Sequence, residues 1–231
     1  MIDVAYVVFL EGCLQPMWDK SVKADELLAA VGPVFAATAD ELARRVRGRW
    51  TAAELCPLLR DDRLEVRKVA CVVLGLIGGR NQVGCVSVAL HDEDGLVAEL
   101  AEHALWSIWF RSGSEAALVE FQRGLGAMEK DDSDAAVRLF RAARRIDPGF
   151  AEAYNQAAMV HYLEDRWEDA AADCRRTIAL MPEHFGALAG LGHCHAQLGE
   201  LEKAAVCYRK ALEIHPRLGE IRGMLDRIEC G

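Results

Sequence analysis

The stretches 144-RRIDP-148, 178-IALMP-182 and 212-LEIHP-216 decide how this chain is read. Each runs from apolar residues through a short polar link into a proline, and Pro148, Pro182 and Pro216 stand 34 residues apart, twice. A proline ends a helix because it lacks a backbone donor and constrains the residue before it. Counting back gives three blocks, 117–150, 151–184 and 185–218. Twelve residues before each proline stand Ala136, Ala170 and Ala204; eight before stand Phe140, Cys174 and Tyr208; five before stand Ala143, Thr177 and Ala211. Three blocks on one spacing without insertion predict three helical hairpins. One hairpin cannot bury its apolar face alone, so the three must stack.

This pattern resembles the tetratricopeptide repeat (TPR), whose length is 34 and whose late positions are small, aromatic, small and Pro. The resemblance spans about 102 of the 231 residues. It implies that Gly124, Ala158 and Gly192 take the small position where the two helices of a hairpin cross, and that Tyr154 and Leu191 fill large core positions. Block one departs most. Glu120 and Arg123 stand where the family prefers large apolar residues and Phe121 lies one place off, so its front helix is expected to be shifted or to face the upstream domain. In the last segment, 219–231, Ile221, Met224, Leu225 and Ile228 fall at helical spacing, as a capping helix requires.

A shorter period lies upstream. LRDDRLEVRKVACVVLGLIG (59–78) aligns with LHDEDGLVAELAEHALWSIW (90–109) at an offset of 31, pairing Asp61 with Asp92, Val66 with Val97, Ala70 with Ala101, Leu74 with Leu105 and Ile77 with Ile108. This resembles the HEAT repeat in its short form, as in the HEAT-like repeats of bilin lyases. In that family the turn Asp and the following Arg link neighbouring repeats. Asp61 and Arg67 keep both members, but Ala98 replaces the second Arg, so a ladder of such links is incomplete. Gly75, Gly78 and Gly79 read as a turn between units. Thr38 with Glu41 and Thr51 with Glu54 have capping-box spacing, which predicts helix starts near 39 and 52. Residues 1–37 read as a divergent helical cap, with Ile2 to Leu10 open to a strand because Val and Phe dominate it. The domains are therefore 1–114 and 115–231, meeting at Arg111–Glu115, and the two arrays are expected to abut as one curved solenoid.

Composition agrees. There are 36 alanines against 6 prolines, which favours helices that approach closely. Twelve basic and 16 acidic side chains in 1–114, and 15 and 20 in 115–231, leave no hidden basic domain, so neither nucleic acid nor a membrane surface is an expected partner. The apolar run Val4 to Leu10 has no preceding Lys or Arg and is too short to span a bilayer. Eight cysteines show no C-x-x-C pair. Together these predict a cytoplasmic location without disulfides.

Candidates for chemistry are few. His193 and His195 stand about 200° apart on one helix and cannot share an ion; His195 and His161 read as packed histidines, and Cys174 and Cys207 as small core residues. Gly124-Leu-Gly126 and Gly190-Leu-Gly192 lack the third glycine of a dinucleotide site. No Walker A, G-x-S-x-G or H-E-x-x-H pattern occurs. Paired acids such as Asp61-Asp62 and Asp131-Asp132 read as solvated turn residues. No catalytic residue, metal site or cofactor is expected. Trp106, Trp109 and Phe110 share one helix face and read as junction packing against block one, with an exposed partner anchor as the alternative.

The fold class expected is all-α, an α-α superhelical solenoid. The TPR resemblance places the first helix of each block on a concave groove, with Leu118, Phe121, Leu125, Met128 and Glu129 in block one, Glu152, Asn155, Met159, Tyr162 and Leu163 in block two, and Gly186, Ala189, His193, Ala196 and Gln197 in block three. The partner-binding set is Phe121, Leu125, Met128, Glu152, Asn155, Met159, Tyr162, His193 and Gln197. Asn155, Met159 and Tyr162 form one stripe suited to a partly apolar peptide. TPR domains that clamp a chaperone's terminal carboxylate need Lys and Arg on the first helices, and Phe185 to Leu198 has neither. The expected function is a non-catalytic adaptor for a peptide or helix of another protein. The alternative is a lyase-like or maturation-enzyme subunit acting on a chromophore or cofactor, carried by the HEAT resemblance alone.

Overall fold

The computed structural model describes residues 26–27 and 39–230. Expectations for the segment 1–37 other than 26–27, for Thr38 and for Gly231 lie outside the described residues. Among the described residues there are twelve α-helices and no strand. The chain forms two compact units, one ending at Ile108 and one beginning at Trp109.

The first unit contains α1 (Ala39–Arg47), α2 (Ala52–Leu55), α3 (Leu64–Ile77), α4 (Val83–Ala89) and α5 (Gly95–Phe110), whose last turn carries the division. Thr51 caps α2 as its spacing requires. Its Oγ1 accepts from the Glu54 N–H, and the Glu54 carboxylate accepts from the Thr51 N–H at 2.8 Å. The 3₁₀ turn Cys56–Arg60 then leads to α3, which is apolar almost all round because it is enclosed on all sides. The aligned pairs Val66 and Val97, Ala70 and Ala101, and Leu74 and Leu105 are each fully buried. Arg67 joins one aligned segment to the next. Its Nε donates to Asp92 Oδ2 at 2.7 Å, its Nη2 to Asp92 Oδ1 at 3.1 Å, and its Nη1 to the Asp61 carbonyl at 3.1 Å. Gly78 ends α3 where any Cβ would lie 2.4 Å from the Leu74 carbonyl oxygen.

One expectation is corrected here. Cys56 and Cys85 form a disulfide, with Cα atoms 5.9 Å apart. The 3₁₀ turn and α4 pack side by side and bring together two thiols 29 residues apart, a contact that local spacing does not encode. The thiol argument for a reducing compartment loses its premise. Closing a loop of this length stabilises a fold by about 3 kcal/mol. Reduction with dithiothreitol is therefore expected to lower the melting temperature of the wild-type chain, while Cys56→Ser/Cys85→Ser melts at the reduced value with or without reductant. Equal wild-type melting in both conditions contradicts this.

The second unit contains α6 (Glu115–Met128), α7 (Ser133–Ile146), α8 (Ala151–Leu163), α9 (Trp167–Leu180), α10 (Phe185–Gln197), α11 (Leu201–Ile214) and α12 (Gly219–Cys230). α6–α7, α8–α9 and α10–α11 are antiparallel hairpins, and α7, α9 and α11 stop two residues before Pro148, Pro182 and Pro216. Each hairpin closes on its small positions: Ala136, Ala170 and Ala204, and Ala143, Thr177 and Ala211, are all fully buried. The crossing residues are matched in size. Phe140 lies over Gly124 and Tyr208 over Gly192, where an added Cβ would meet the rings at 2.5 Å and 2.4 Å. In the middle hairpin both partners change together: Cys174 replaces the aromatic and Ala158 replaces the glycine, and both join one buried cluster. In α6 the one-place offset swings Phe121 into the core, where it meets the Phe150 ring at 4.8 Å and the Phe140 ring at 5.6 Å. α12 buries Ile221 and Leu225 on α11 and covers the last hairpin.

Of the aromatic run, Trp109 and Phe110 are packed rather than displayed. Trp109 is 1% exposed and stacks on His184 with ring centroids 3.9 Å apart, at the entry to block three rather than on block one. Phe110 meets Phe121 of block one edge-on at 5.6 Å.

Candidate functional site

α8 packs on α10 as well as on α9, so the first helices of the last two hairpins run together along one side of the second unit. The amphipathic rule fails on α8 in an informative way: Met159 is 44% and Leu163 70% exposed, one turn apart on the same face. Tyr162 lies beside them, half-buried. Its hydroxyl accepts from Gln197 Nε2 at 3.2 Å, which ties α8 to α10. His193 stands one turn below Gln197 on α10. Its ring lies 6.2 Å from that of Tyr162, and its Nδ1 is hydrogen-bonded to the Tyr208 hydroxyl at 2.9 Å. Burial lowers the His193 pKa from its ordinary value, so the ring stays neutral at neutral pH, and burial pushes the Tyr208 phenol up to about 12. Uncharged polar atoms and exposed apolar side chains thus share one surface.

Of the nine residues expected to bind a partner, Asn155, Met159, Tyr162, His193 and Gln197 come together here. Leu125 and Met128 are half-buried and rest on the core of the first hairpin. Phe121 and Glu152 are corrections: they are 1% and 0% exposed and offer nothing to a partner. Phe121 is core for the reason given above. Glu152 is claimed by a buried network. Its Oε1 accepts from Gln156 Nε2 at 2.7 Å and Asn155 Nδ2 at 3.0 Å, and its Oε2 pairs with His184 Nε2 at 2.9 Å. His184 Nδ1 accepts the Ala187 N–H at 3.0 Å, so its proton sits on Nε2 and points at the carboxylate. Asn155 Nδ2 is therefore engaged within the chain.

His161 and His195 are packed within the second unit. His161 is 3% exposed, lies 3.6 Å from Asp173, and is held below its ordinary pKa by burial first and Arg166 second. His195 is hydrogen-bonded to Glu200. His193 and His195 thus turn to different partners. Among the described residues no group of three metal-ligating side chains converges, and no helix is long and apolar enough to cross a membrane. Sequence reasoning missed Tyr208 as a support for His193, and it counted Leu163, the most exposed apolar residue of the site, among the groove-facing places without including it in the partner-binding set. The signal for the first was Gly192, whose missing side chain admits the ring.

Tetratricopeptide repeat family models match residues 121–181 and 186–218. The chain is 25% identical over 108 residues to a TPR repeat-containing protein of Rhizobium etli, covering 47% of this chain and 53% of that one. It is 28% identical over 85 residues to Protein bimA of Emericella nidulans, covering 37% of this chain and 10% of that one. The chain thus spans about half, or much less, of the length of these curated relatives. The solved first TPR of Spaghetti (RPAP3), bound to the HSP90 peptide SRMEEVD, is similar with a TM-score of 0.50 and 24% identity, covering 51% of this chain and 93% of that chain. That likeness is one of fold. The second unit of this chain is built of tetratricopeptide repeats.

Proposed function

We propose that this chain is a non-catalytic adaptor, holding a peptide or helix of another protein against the first helices of its TPR hairpins at Asn155, Met159, Tyr162, Leu163, His193 and Gln197. The observation that carries the reading is the pair Met159 and Leu163, large apolar side chains left in solvent on a helix that is otherwise well buried. Tyr162 and Gln197 hold each other in place, so a partner meets a preformed surface and little ordering entropy is lost on binding. The HSP90 peptide of the Spaghetti structure ends in an acidic carboxylate tail. A partner of that kind is not proposed here, since α8 and α10 carry no Lys or Arg. In the first unit we read the Asp61–Arg67–Asp92 link as the join between two HEAT-like repeats, a scaffold for the adaptor.

Met159→Glu with Tyr162→Ala tests the groove. Loss of two central contacts is expected to weaken partner binding by about thirtyfold or more. In quantitative affinity purification, the proteins retained by the wild-type chain are lost from the variant, while circular dichroism and melting stay unchanged. The same proteins retained by both chains place binding elsewhere.

A further inference from the structure

We propose that the segment held in this groove is apolar and cationic, bearing Lys or Arg beside its apolar side chains. The proposal rests on the groove reading above and adds the chemistry of the occupant. It stands on a division of charge between the two sides of the second unit. The first helices and the turns that follow them, 115–132, 151–166 and 185–200, hold three basic side chains and nine acidic ones, eight without the buried Glu152. The second helices, 133–146, 167–180 and 201–214, hold six acidic and nine basic ones. Each layer is one side of the stack, so the groove side is negative and the opposite side positive.

The local pairing sharpens this division. Arg123 is bound to Glu120 at 2.9 Å, Arg166 to Asp169 of a second helix at 2.6 Å and Glu200 to Lys203 of a second helix at 2.7 Å, which leaves Lys130 against Glu115, Glu129, Asp131, Asp132, Glu164 and Asp165. Glu129, Asp131 and Asp165 are exposed at the ends of α6 and α8. The C-termini of α6, α8 and α10 all end along this edge and add partial negative charge there. Beside this edge lie Met159 and Leu163, which supply the apolar contact. His193 is neutral, so no cation stands in the groove to receive a carboxylate. An apolar segment with a flanking Lys or Arg satisfies both features, while an acidic tail meets repulsion.

The test is selection of a displayed random peptide library on three full-length proteins: wild type, Met159→Ala/Tyr162→Ala/Leu163→Ala, and Glu129→Gln/Asp131→Asn/Asp165→Asn. Asn suits Asp131 and Asp165 because both have φ of 57°, which Asn adopts readily. The expected result is a set of wild-type binders, lost on the apolar triple variant, rich in Lys or Arg next to apolar residues. Their affinity falls about three- to tenfold on the charge-neutralised variant, and much of their salt dependence disappears. Groove-dependent binders that are acidic, or uncharged and indifferent to salt, overturn the cationic assignment and leave the groove reading standing. Binders unaffected by the apolar triple variant, or no binders at all, overturn both.

Discussion

Glu152→Ala is expected to destabilise the chain by about 3 kcal/mol, seen as a lower urea midpoint with an unchanged slope. The carboxylate lies at 0% exposure and accepts from Gln156, Asn155 and His184. Removing it leaves two buried donors, Gln156 and His184, and the half-buried Asn155 without their acceptor, and a void beneath the Trp109–His184 stack. Glu152→Gln separates the two effects. It keeps the volume but turns an NH₂ group toward at least one of those donors, so its loss falls between wild type and alanine. Removing His184 acts on the same network from the other side: His184→Ala also strips the Ala187 N–H of its cap. Stability of Glu152→Ala within about 0.5 kcal/mol of wild type shows that the network is not a structural one, because that is the scatter of neutral surface changes.

The second large effect is at Gly192. Alanine is the better helix former by about 1 kcal/mol, and on propensity alone Gly192→Ala stabilises α10. Packing reverses the sign. The new Cβ falls 2.4 Å from Tyr208 Cε1 and 2.6 Å from Cδ1, and the ring is 1% exposed and held at its hydroxyl by His193, so it has nowhere to go. Overpacking of this kind costs about 1–3 kcal/mol, and a net loss of about 2 kcal/mol is expected. The middle hairpin supplies the control, since Ala158 faces Cys174 at the same place. In Gly192→Ala/Tyr208→Cys the clash is gone, so the double variant should lose at least 1 kcal/mol less than the sum of the two single changes. Gly126→Ala, with nothing within 4 Å of the added carbon, should be neutral or stabilising. If Gly192→Ala behaves like Gly126→Ala, the ring is more mobile than its burial indicates.

The hairpins were legible because their determinants are periodic. Three prolines end three helices, and small residues recur where backbones approach, so the sequence carries the same instruction three times over. The start of α2 was legible because a capping box is local. What escaped depends on residues far apart in the chain. Glu152 occupies a groove position by count, but a histidine 32 residues later draws it inside. Phe121 lies one place from its slot, and one place on a helix is a rotation of about 100°. The Cys56–Cys85 bond depends on how a 3₁₀ turn lies beside α4, which no spacing rule encodes. The stripe of Met159 and Tyr162 was readable as an amphipathic exception, whereas the support Tyr208 gives His193 required the hairpin to be assembled.

The link from Arg67 to Asp92 bears on how this chain can lengthen over evolutionary time. Asp92 takes its arginine from the preceding segment, and the position that corresponds to Arg67 in the later segment is Ala98. A tandem duplication placed after that segment would present its own aspartate to a methyl group, so growth there by copying demands a compensating mutation in the same lineage.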